Sequence, residues 1–524
     1  MNGQKNTVVK LLDKSKRGIL RGIFSRLTLF LVLILLQIIL INLFFLKLED
    51  FRIPLKIIEA IVIAGSVIFL VNSKMDTTSI ITWLLVIFPF PIPGAMFLFY
   101  TKNDLGYREL KKRIKKSISE VSPYFHQKSD ILAELKQDHL ITYNLAKYLN
   151  RRGGYPIYKN PEITYFPSGM KKFIALKEEL QKAKEFIFLE YFIIDEGTMW
   201  GEILAILEEK VKEGVEVRVM YDGMIEYSTL SPDYKKRLEK IGIKARAFAP
   251  MSPFLSTYYN YRDHRKILVI DNQVAFNGGV NLADEYINLI DKYGYWKDSA
   301  LMIKGEAVSS YTLMFLQMWA TYDQTDDIKR YLLPNKSNSN CNQGYVIPYA
   351  DSPLDNEKVG ENVYIDILNN ANEYVHIMTP YLILDSELEH ALKFAAERGV
   401  DVKIIMPGIP DKKIPYTLAK RYFPSLIDSG VKIYQFTPGF VHAKNFVSDH
   451  NKAVVGTINL DYRSLYHHFE CATYMYQTSS IADIENDFQK TLAKSKEITL
   501  ESLKKENILI RGAGYIIKLI APLL

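Results

Sequence analysis

Residues 264–271 read His-Arg-Lys-Ile-Leu-Val-Ile-Asp, and residues 442–449 read His-Ala-Lys-Asn-Phe-Val-Ser-Asp, so one pattern of His, Lys and Asp occurs twice. Each copy is followed, at the same distance, by a glycine and an asparagine. These residues are Gly278 and Asn281 in the first copy and Gly456 and Asn459 in the second. Five identities in a fixed register are far more specific than one short motif. We therefore interpret the pair as a duplicated catalytic signature rather than as two exposed basic strands.

The interior of each copy predicts a β-strand that enters a sheet. Residues i and i+2 of a strand share a face, so His264 projects with Lys266, and His442 with Lys444. A phosphodiester needs cations and donors around its nonbridging oxygens, which the two Lys and two Asn can supply. It also needs a nucleophile with an acid opposite, and two His can fill those roles. The pattern therefore predicts phosphoryl transfer.

No metal or other cofactor is expected. Metal-dependent phosphoryl transfer uses converging carboxylates, whereas each copy of the pattern has one Asp among several cations. Cys341 and Cys471 lack neighbours at zinc-ligand spacing. His467 and His468 lack such spacing to any Cys or carboxylate cluster, so we interpret them as structural.

Strand-like and helix-like stretches alternate around both copies. Residues 186–194 and 215–221 read as strands on either side of an amphipathic helix at 199–213. The same order returns with strands at 374–382 and 400–406 around a helix at 387–398. The alternation predicts an α/β fold, and the recurrence predicts two repeats that pack face to face around one site.

The first 116 residues differ from the rest in charge and hydropathy. They contain 18 Lys and Arg against 7 Asp and Glu, whereas the remainder has a net charge of −4. Apolar runs lie at 27–46, 57–71 and 80–100, and the third contains several prolines. Closely spaced prolines break a straight helix, so we expect the third run to be kinked, re-entrant or split. These features predict an α-helical membrane anchor with two or three hydrophobic segments.

Basic residues flank the apolar runs on both sides. By the positive-inside rule both flanks are cytoplasmic, so an even number of runs should cross, and we expect the third not to. We predict a multi-pass protein of the cell membrane with its catalytic body on the cytoplasmic face. The net negative charge of that body argues against a nucleic-acid-binding groove.

The composition divides the chain into five parts. They are a membrane anchor at 1–116, a first repeat at 117–334, a Ser/Asn-rich linker at 335–343, a second repeat at 344–507 and an apolar tail with two cations at 508–524. The tail is too short to span a bilayer, and either an interfacial or a buried helix fits it.

The doubled His-x-Lys-x4-Asp pattern resembles the phospholipase D superfamily. Four stretches are similar to bacterial cardiolipin synthases: NYRDHRKILVID at 260–271, AFNGGVNLADEY at 275–286, GFVHAKNFVSD at 439–449 and VGTINLDYRS at 455–464. The resemblance implies two phospholipase D-like repeats and a reaction in which two phosphatidylglycerols give cardiolipin and glycerol through a phosphohistidine. It implies no cofactor.

The resemblance also assigns roles to residues. The catalytic set would be His264, Lys266, Asp271, His442, Lys444 and Asp449, with the two Asp positioning the motif strands. His264 would be the nucleophile and His442 the general acid and then base, while Asn281 and Asn459 hold phosphate oxygens. Asp298 and Glu470 are candidate partners of histidine Nδ1. One departure is His468, where the family often has Asn before the Phe-Glu pair.

The expected partners are phosphatidylglycerol and anionic membrane lipids, without nucleic acid. The residues alone do not choose between water and an alcohol as the acceptor. A membrane-bound phospholipase D that hydrolyses phospholipids is therefore the main alternative. A phosphodiesterase or nuclease of the same superfamily, and a scaffold that only retains the fold, are less favoured.

Overall fold

Two β-sheets with the same strand order form the body of the protein. The computed structural model describes residues 39, 52–102, 107–231, 233–250, 261–323, 327–334, 343–355, 357–519 and 521–523. In the first sheet, the hydrogen-bonded order of strands is Glu162–Phe166, Ala300–Lys304, Val274–Gly278, Lys266–Ile270, Phe186–Tyr191, Glu216–Asp222 and Lys244–Phe248.

The second sheet repeats this order and extends it at both edges. Its strands are Tyr158–Lys159, Tyr345–Asp351, His468–Tyr476, Lys452–Gly456, Asn445–Ser448, Tyr374–Met378, Asp401–Pro407, Lys432–Phe436 and Ser495–Ile498, with Arg262–Asp263 also pairing with His468–Tyr476. In both sheets the motif strand runs antiparallel to a neighbour that pairs in parallel with the next strand. The predicted duplication is therefore present in the strand topology.

Helices cover the sheets and connect the strands. They are Arg52–Val71, Thr77–Ile87, Pro91–Lys102, Arg108–Val121, Ser129–Asp138, Leu140–Gly153, Gly169–Gln181, Thr198–Lys212, Ile225–Ser228, Tyr234–Lys240, Val308–Trp319, Val359–Asn369, Ser386–Glu397, Lys413–Ala419, Phe423–Asp428, Tyr462–Tyr466, Ser480–Leu492, Leu500–Lys504 and Ile508–Leu519. The helices predicted at 199–213 and 387–398 are both confirmed within one residue at each end. The strands predicted at 186–194 and 374–382 end earlier, at Tyr191 and Met378.

Each motif strand turns back on itself through a tight hairpin. The turn residues Asp271 and Asn272 have φ of 52° and 55°, and Asp449 and His450 have φ of 51° and 56°. Two consecutive positive φ values are typical of the type I′ turn, whose twist matches that of the flanking strands. The Asp that ends each motif is therefore also the first of the two central residues of a turn.

Short strands cross between the two repeats and hold the seam together. Gly439–Val441, just before the second motif, pairs in parallel with Tyr295–Lys297 of the first repeat. Arg262–Asp263, just before the first motif, pairs in parallel with the start of strand His468–Tyr476. Each repeat thus inserts the residues that precede its motif histidine into the other repeat, which brings both histidines to the seam.

The predicted boundary after residue 116 falls inside a helix. In helix Arg108–Val121, Leu110, Ile114 and Val121 are buried in the main hydrophobic core, and the helix packs on Val308–Trp319. The charged residues of this segment occupy its exposed side. Because apolar residues at helical spacing pack against the body, the body includes this helix and begins before residue 117.

The described part of the N-terminal region forms three apolar helices. The run at 57–71 lies within helix Arg52–Val71, and the run at 80–100 is divided between Thr77–Ile87 and Pro91–Lys102, as its prolines predicted. Among the described residues, no helix has both the length and the apolar character needed to cross a membrane. The run at 27–46 lies outside the described residues except for Ile39, as does the linker at 335–343 except for its last residue.

Candidate active site

The two motif histidines are each held by a carboxylate of the other repeat. His264 Nδ1 lies 2.9 Å from both carboxylate oxygens of Glu470. His442 Nδ1 lies 2.7 Å from Oδ2 of Asp298. A carboxylate at Nδ1 keeps the proton on that nitrogen and leaves the Nε2 lone pair available for chemistry. The structure therefore brings the two predicted orienting residues to the predicted histidines.

The residue that packs against each histidine-orienting carboxylate differs between the repeats. A Cβ added to Gly279 would lie 2.2 Å from Oδ1 of Asp298, so this position has no room for a side chain. Its counterpart Thr457 donates its hydroxyl to Glu470. The shorter carboxylate thus packs directly on a glycine, while the longer one is fixed by an additional hydrogen bond.

Two buried motif lysines lie beside the histidines, and a third buried lysine, Lys172, interacts electrostatically with Asp298 and Lys266. Lys266 Nζ donates to the carbonyl of His264 at 2.6 Å, and Lys444 Nζ donates to the carbonyl of His442. Lys172, from helix Gly169–Gln181, donates to Val280 O at 3.1 Å and to the Tyr191 hydroxyl at 3.2 Å. An ammonium has three N–H bonds, so the motif lysines can also donate to a phosphate.

Burial lowers the pKa of all three lysines. The pKa falls to about 7 for Lys172, to about 8 for Lys266 and to about 7 for Lys444, and neighbouring carboxylates oppose the shift. Close cations in a site of low dielectric constant favour a bound anion. The site is therefore built to receive negative charge.

Burial also lowers the pKa of both histidines. The pKa of His442 falls to about 4, with Lys444 adding to the effect, and that of His264 falls well below its usual value, with Lys266 adding to it. The two carboxylates differ. Burial raises the pKa of Glu470 well above its usual range, whereas His442 and Lys444 outweigh burial and lower that of Asp298. Asp298 is the better partner for an imidazolium.

The motif aspartates lie away from the histidines and hold the strands. Asp271 accepts the backbone N–H groups of residues 184, 185 and 186 at 2.7, 2.9 and 2.8 Å. Asp449 accepts those of residues 372, 373 and 374 at 2.9, 3.0 and 3.1 Å. Each Asp ties its hairpin to the start of the neighbouring strand. This geometry agrees with the positioning role and places neither carboxylate beside a histidine.

The two asparagines occupy different environments. Asn281 Oδ1 accepts the N–H of Ile193 at 3.0 Å, and its Nδ2 donates to the Tyr286 hydroxyl at 2.8 Å. Asn459 Oδ1 is buried and has no hydrogen-bond partner among the residues that the structure describes. Asn281 thus connects the site to the strand beside the first motif, while Asn459 retains hydrogen-bonding capacity.

Several site residues carry no signal in the motif pattern. Phe192 packs edge-on against His264 at 4.9 Å, and Tyr286 packs edge-on against His442 at 5.5 Å. His468, interpreted from the sequence as structural, has its ring 5.4 Å from that of His264. One signal in the sequence indicated that His468 lies in the site. The family often has Asn at this position, so the His departs from the family pattern two residues before Glu470.

Comparisons with known proteins agree with this geometry. A family model described as "Cardiolipin synthase, PLD-like domain" matches residues 176–319 and 364–492. A cardiolipin synthase of Alkalihalophilus pseudofirmus is 34% identical over 473 residues, covering 89% of this chain and 92% of the relative. An uncharacterised protein of Streptococcus mutans is 69% identical over 460 residues, covering 88% of this chain and 100% of the relative.

The fold also resembles that of a solved structure. The phosphatidylserine synthase of Haemophilus influenzae superposes with a TM-score of 0.55 at 17% sequence identity, covering 73% of this chain and 100% of that one. At this identity the likeness concerns the fold, which is the paired-repeat architecture described above.

Proposed function

Because the chain belongs to the cardiolipin synthase family of PLD-like phosphatidyltransferases, we propose that it transfers a phosphatidyl group from one phosphatidylglycerol to another through a phosphohistidine. Cardiolipin and free glycerol are the products. Phosphatidylglycerol thereby serves as both donor and acceptor.

One observation carries this proposal: two imidazoles, each oriented through Nδ1 by a carboxylate of the opposite repeat, among buried lysines. The arrangement supplies a nucleophile, an acid and cations for the nonbridging oxygens. A covalent intermediate splits the transfer into two displacements, and the phosphoryl bond energy is retained between them.

In the proposed first step, Nε2 of His264 forms a bond to phosphorus and the bond to the headgroup glycerol breaks. His442 gives its Nε2 proton to the leaving oxygen. In the second step, the hydroxyl of another phosphatidylglycerol attacks phosphorus, the bond to His264 breaks, and neutral His442 takes the hydroxyl proton. Both histidines return to their starting states.

The two carboxylates support this division of roles. A general acid must carry a proton at the start, and the lowered pKa of Asp298 keeps a negative charge beside His442. Glu470, whose pKa burial raises, is suited to take the Nδ1 proton of His264 as that ring becomes phosphorylated and to return it when the bond to phosphorus breaks. Titratable pairs whose environments push their pKa values apart mark acid and base assignments.

The test is thin-layer analysis of lipids after purified protein is incubated with phosphatidylglycerol alone. We expect cardiolipin and glycerol, without added nucleotide or divalent metal. Phosphatidic acid as the main product would mean that water is the acceptor and that the protein is a hydrolase. A requirement for a nucleotide-activated lipid donor would contradict the proposal.

The roles of the histidines are tested with a substrate that has a good leaving group. His442→Ala retains the nucleophile and should trap a lipid-phosphate adduct on His264, whereas His264→Ala should trap none. An adduct on His442 in the His264→Ala protein would reverse the roles. Full turnover by either variant would rule out the two-histidine mechanism.

We also propose that the body rests on a membrane surface through an apolar patch. Ile508, Leu509 and Ile516 in the C-terminal helix are 71%, 78% and 68% exposed. This helix is joined to Thr77–Ile87 by a hydrogen bond from Thr82 Oγ1 to Leu519 O at 2.8 Å. Exposed apolar residues on adjoining helices are typical of a membrane contact.

A hydrogen bond joins the helices of the patch to the chain segment that follows the second motif. Tyr462, three residues after Asn459, donates its hydroxyl to Asp76 at the start of helix Thr77–Ile87, at 3.4 Å. We expect Leu509→Asp with Ile516→Asp to reduce sedimentation with phosphatidylglycerol vesicles while turnover of a detergent-solubilised substrate is retained. Unchanged sedimentation would count against the patch.

The cytoplasmic orientation of the body remains part of the proposal and rests on the basic flanks of the N-terminal runs. Protease added outside intact cells should leave the chain beyond residue 116 uncut. Cleavage of the body under these conditions would place it on the opposite face.

A further inference from the structure

His468 is the site residue to which the proposed transfer gives no task. Its ring lies 5.4 Å from that of His264, and its side chain is 10% exposed. Within the described part of the chain, neither its Nδ1 nor its Nε2 has a hydrogen-bond partner. Leaving a buried polar group unsatisfied is unfavourable, so a group that satisfies His468 would bind favourably there.

The atoms around His468 have the spacing of a metal site. Nδ1 of His468 lies 3.5 Å from Oε1 of Glu470, which is itself 2.9 Å from Nδ1 of His264. One potential ligand atom from each of the three residues lies within 4.8 Å of the other two. In a tetrahedral zinc site with bonds of about 2.0–2.1 Å, neighbouring ligand atoms are about 3.4 Å apart. Two of the three separations, 2.9 and 3.5 Å, lie within about 0.5 Å of that value.

We propose that His264, His468 and Glu470 form a binding site for a divalent transition metal, with Zn²⁺ as its occupant. Two imidazoles and one carboxylate are a ligand set that zinc uses, whereas Mg²⁺ and Ca²⁺ prefer oxygen ligands alone. The sequence predicted no metal, because each motif has one Asp among several cations and because His468 lacks metal-ligand spacing to any Cys or carboxylate cluster. This site goes beyond the proposed transfer, which needs no metal.

Zinc at this site would inhibit the enzyme rather than assist it, a consequence that rests on the proposed function. Coordination of Nδ1 of His264 requires the lone pair of that nitrogen. The neutral ring then carries its one proton on Nε2, which has no lone pair left to attack phosphorus. No net proton is gained or lost by the ring. The cations Lys266, Lys444, Arg262 and Arg463 act on the two ligand histidines and oppose a further positive charge, so we expect weak, reversible occupancy.

The binding test uses Co²⁺ as a spectroscopic substitute for zinc in chelator-treated full-length protein. We expect one Co²⁺ per chain with the intense visible absorption of four-coordinate cobalt, and its displacement by Zn²⁺ but not by Mg²⁺. His468→Asn should weaken binding on the order of 100-fold, since even loss of an outer-shell partner costs 10–100-fold. His467→Asn, at the adjacent position, is the matched control and should bind as the unaltered protein does.

A second variant keeps the proposal falsifiable if His468→Asn disturbs folding. His468→Cys supplies a thiolate ligand at the same place and should restore cobalt binding with an added sulfur-to-metal charge-transfer band. Equal cobalt affinity in His468→Asn and His467→Asn would overturn the site, as would the absence of the charge-transfer band in a folded, cobalt-binding His468→Cys protein.

Inhibition is measured as the ratio of turnover with and without Zn²⁺ within each variant. We expect this ratio to be restored toward one in His468→Asn and to stay low in His467→Asn. Because cobalt binding is read without turnover, the site can be established even if phosphatidylglycerol is not the substrate. Binding at His468 without inhibition would contradict the inhibitory role alone.

Discussion

At the scale of single residues, the site depends on contacts that cross between the repeats. His264 is oriented by a carboxylate from the second repeat and His442 by one from the first. The glycine under Asp298 and the threonine under Glu470 adapt the same backbone position to carboxylates of different length. The two halves of the site therefore have the same arrangement of residues, but their carboxylates have pKa values shifted in opposite directions. An ordered pair of displacements needs that difference.

The first prediction tests the partner of His442. Asp298→Asn keeps the size of the side chain but removes the charge that holds the proton on Nδ1. We expect turnover to fall about 10³- to 10⁴-fold, the scale seen when the corresponding change in a serine-protease triad forces the wrong tautomer. Glu306→Gln, at an exposed ion pair with Lys128, is the control. A loss of only a few-fold would mean that Asp298 does not act through His442.

The second prediction concerns pH. Burial lowers the pKa of His442 to about 4 and that of His264 well below 6.5, so both rings are neutral in the empty site at neutral pH. A bound phosphate diester carries a negative charge, which raises both pKa values. The optimum of kcat, which reports the complex, should therefore lie at higher pH than that of kcat/KM, which reports the free enzyme.

Both profiles are measured on one mixed-micelle substrate across the same buffers. His450→Asn, which alters a histidine in the turn after the second motif, serves as the control and should leave both optima in place. Coincident optima, or a kcat optimum on the acidic side of kcat/KM, would show that the bound phosphate does not shift the titration of these histidines.

At the scale of elements, each motif is a strand with a function at both ends. Its first residues project into the seam, while its last residue begins a hairpin and caps the neighbouring strand through three backbone N–H groups. The spacing that the two copies of the pattern share is thus the length of a strand. This explains why an Asp that touches no reacting group belongs to the signature.

The third prediction separates the structural role of the hairpin end of the motif strand from the catalytic role of its other end. Asp271→Ala removes an acceptor shared by three backbone N–H groups, and we expect the free energy of unfolding to fall by roughly 2–3 kcal/mol. Asp271→Asn, which keeps one carbonyl oxygen, should lose less. Protein that remains folded should retain more turnover than Asp298→Asn does. Thermal unfolding and turnover are measured side by side, and a catalytic defect without loss of stability would contradict a positioning role.

Many of the helices and strands, and the two repeats, could be predicted from the sequence. The periodicity of residues 199–213 and 387–398 indicated both helices, and the matched motifs indicated the repeats. Two features could not be predicted. The segment after residue 102 looks like a solvated basic helix until Leu110 and Ile114 meet the helix Val308–Trp319. Lys172 enters the site from a helix with no motif, because its contacts with Val280 and Tyr191 exist only in the folded chain.

At the scale of the whole molecule, the site concentrates cations in the interior before any lipid binds. Lys172, Lys266 and Lys444 are all buried, and each has a pKa lowered from 10.5 by burial. The folded protein therefore bears an electrostatic cost that an anionic substrate relieves. Stability and substrate affinity should be linked through these lysines, and this link can be measured without an assay of turnover.

The last prediction follows from the sign of that linkage. Between the folded pKa of about 7 for Lys172 and its unfolded value of 10.5, the unfolded chain binds more protons, so this group makes the free energy of unfolding rise with pH, by at most about 1.4 kcal/mol per pH unit. Glu361, whose pKa burial raises to about 9, contributes in the opposite direction. The informative quantity is therefore the difference between a variant and the unaltered protein. Lys172→Met should be the more stable protein near pH 7 and should lose this advantage as the pH approaches about 10, with Lys171→Met on the exposed side of the same helix as the control. Chemical unfolding at a series of pH values provides the test. Parallel curves of unfolding free energy against pH for the two Met variants would show that burial does not lower the pKa of Lys172.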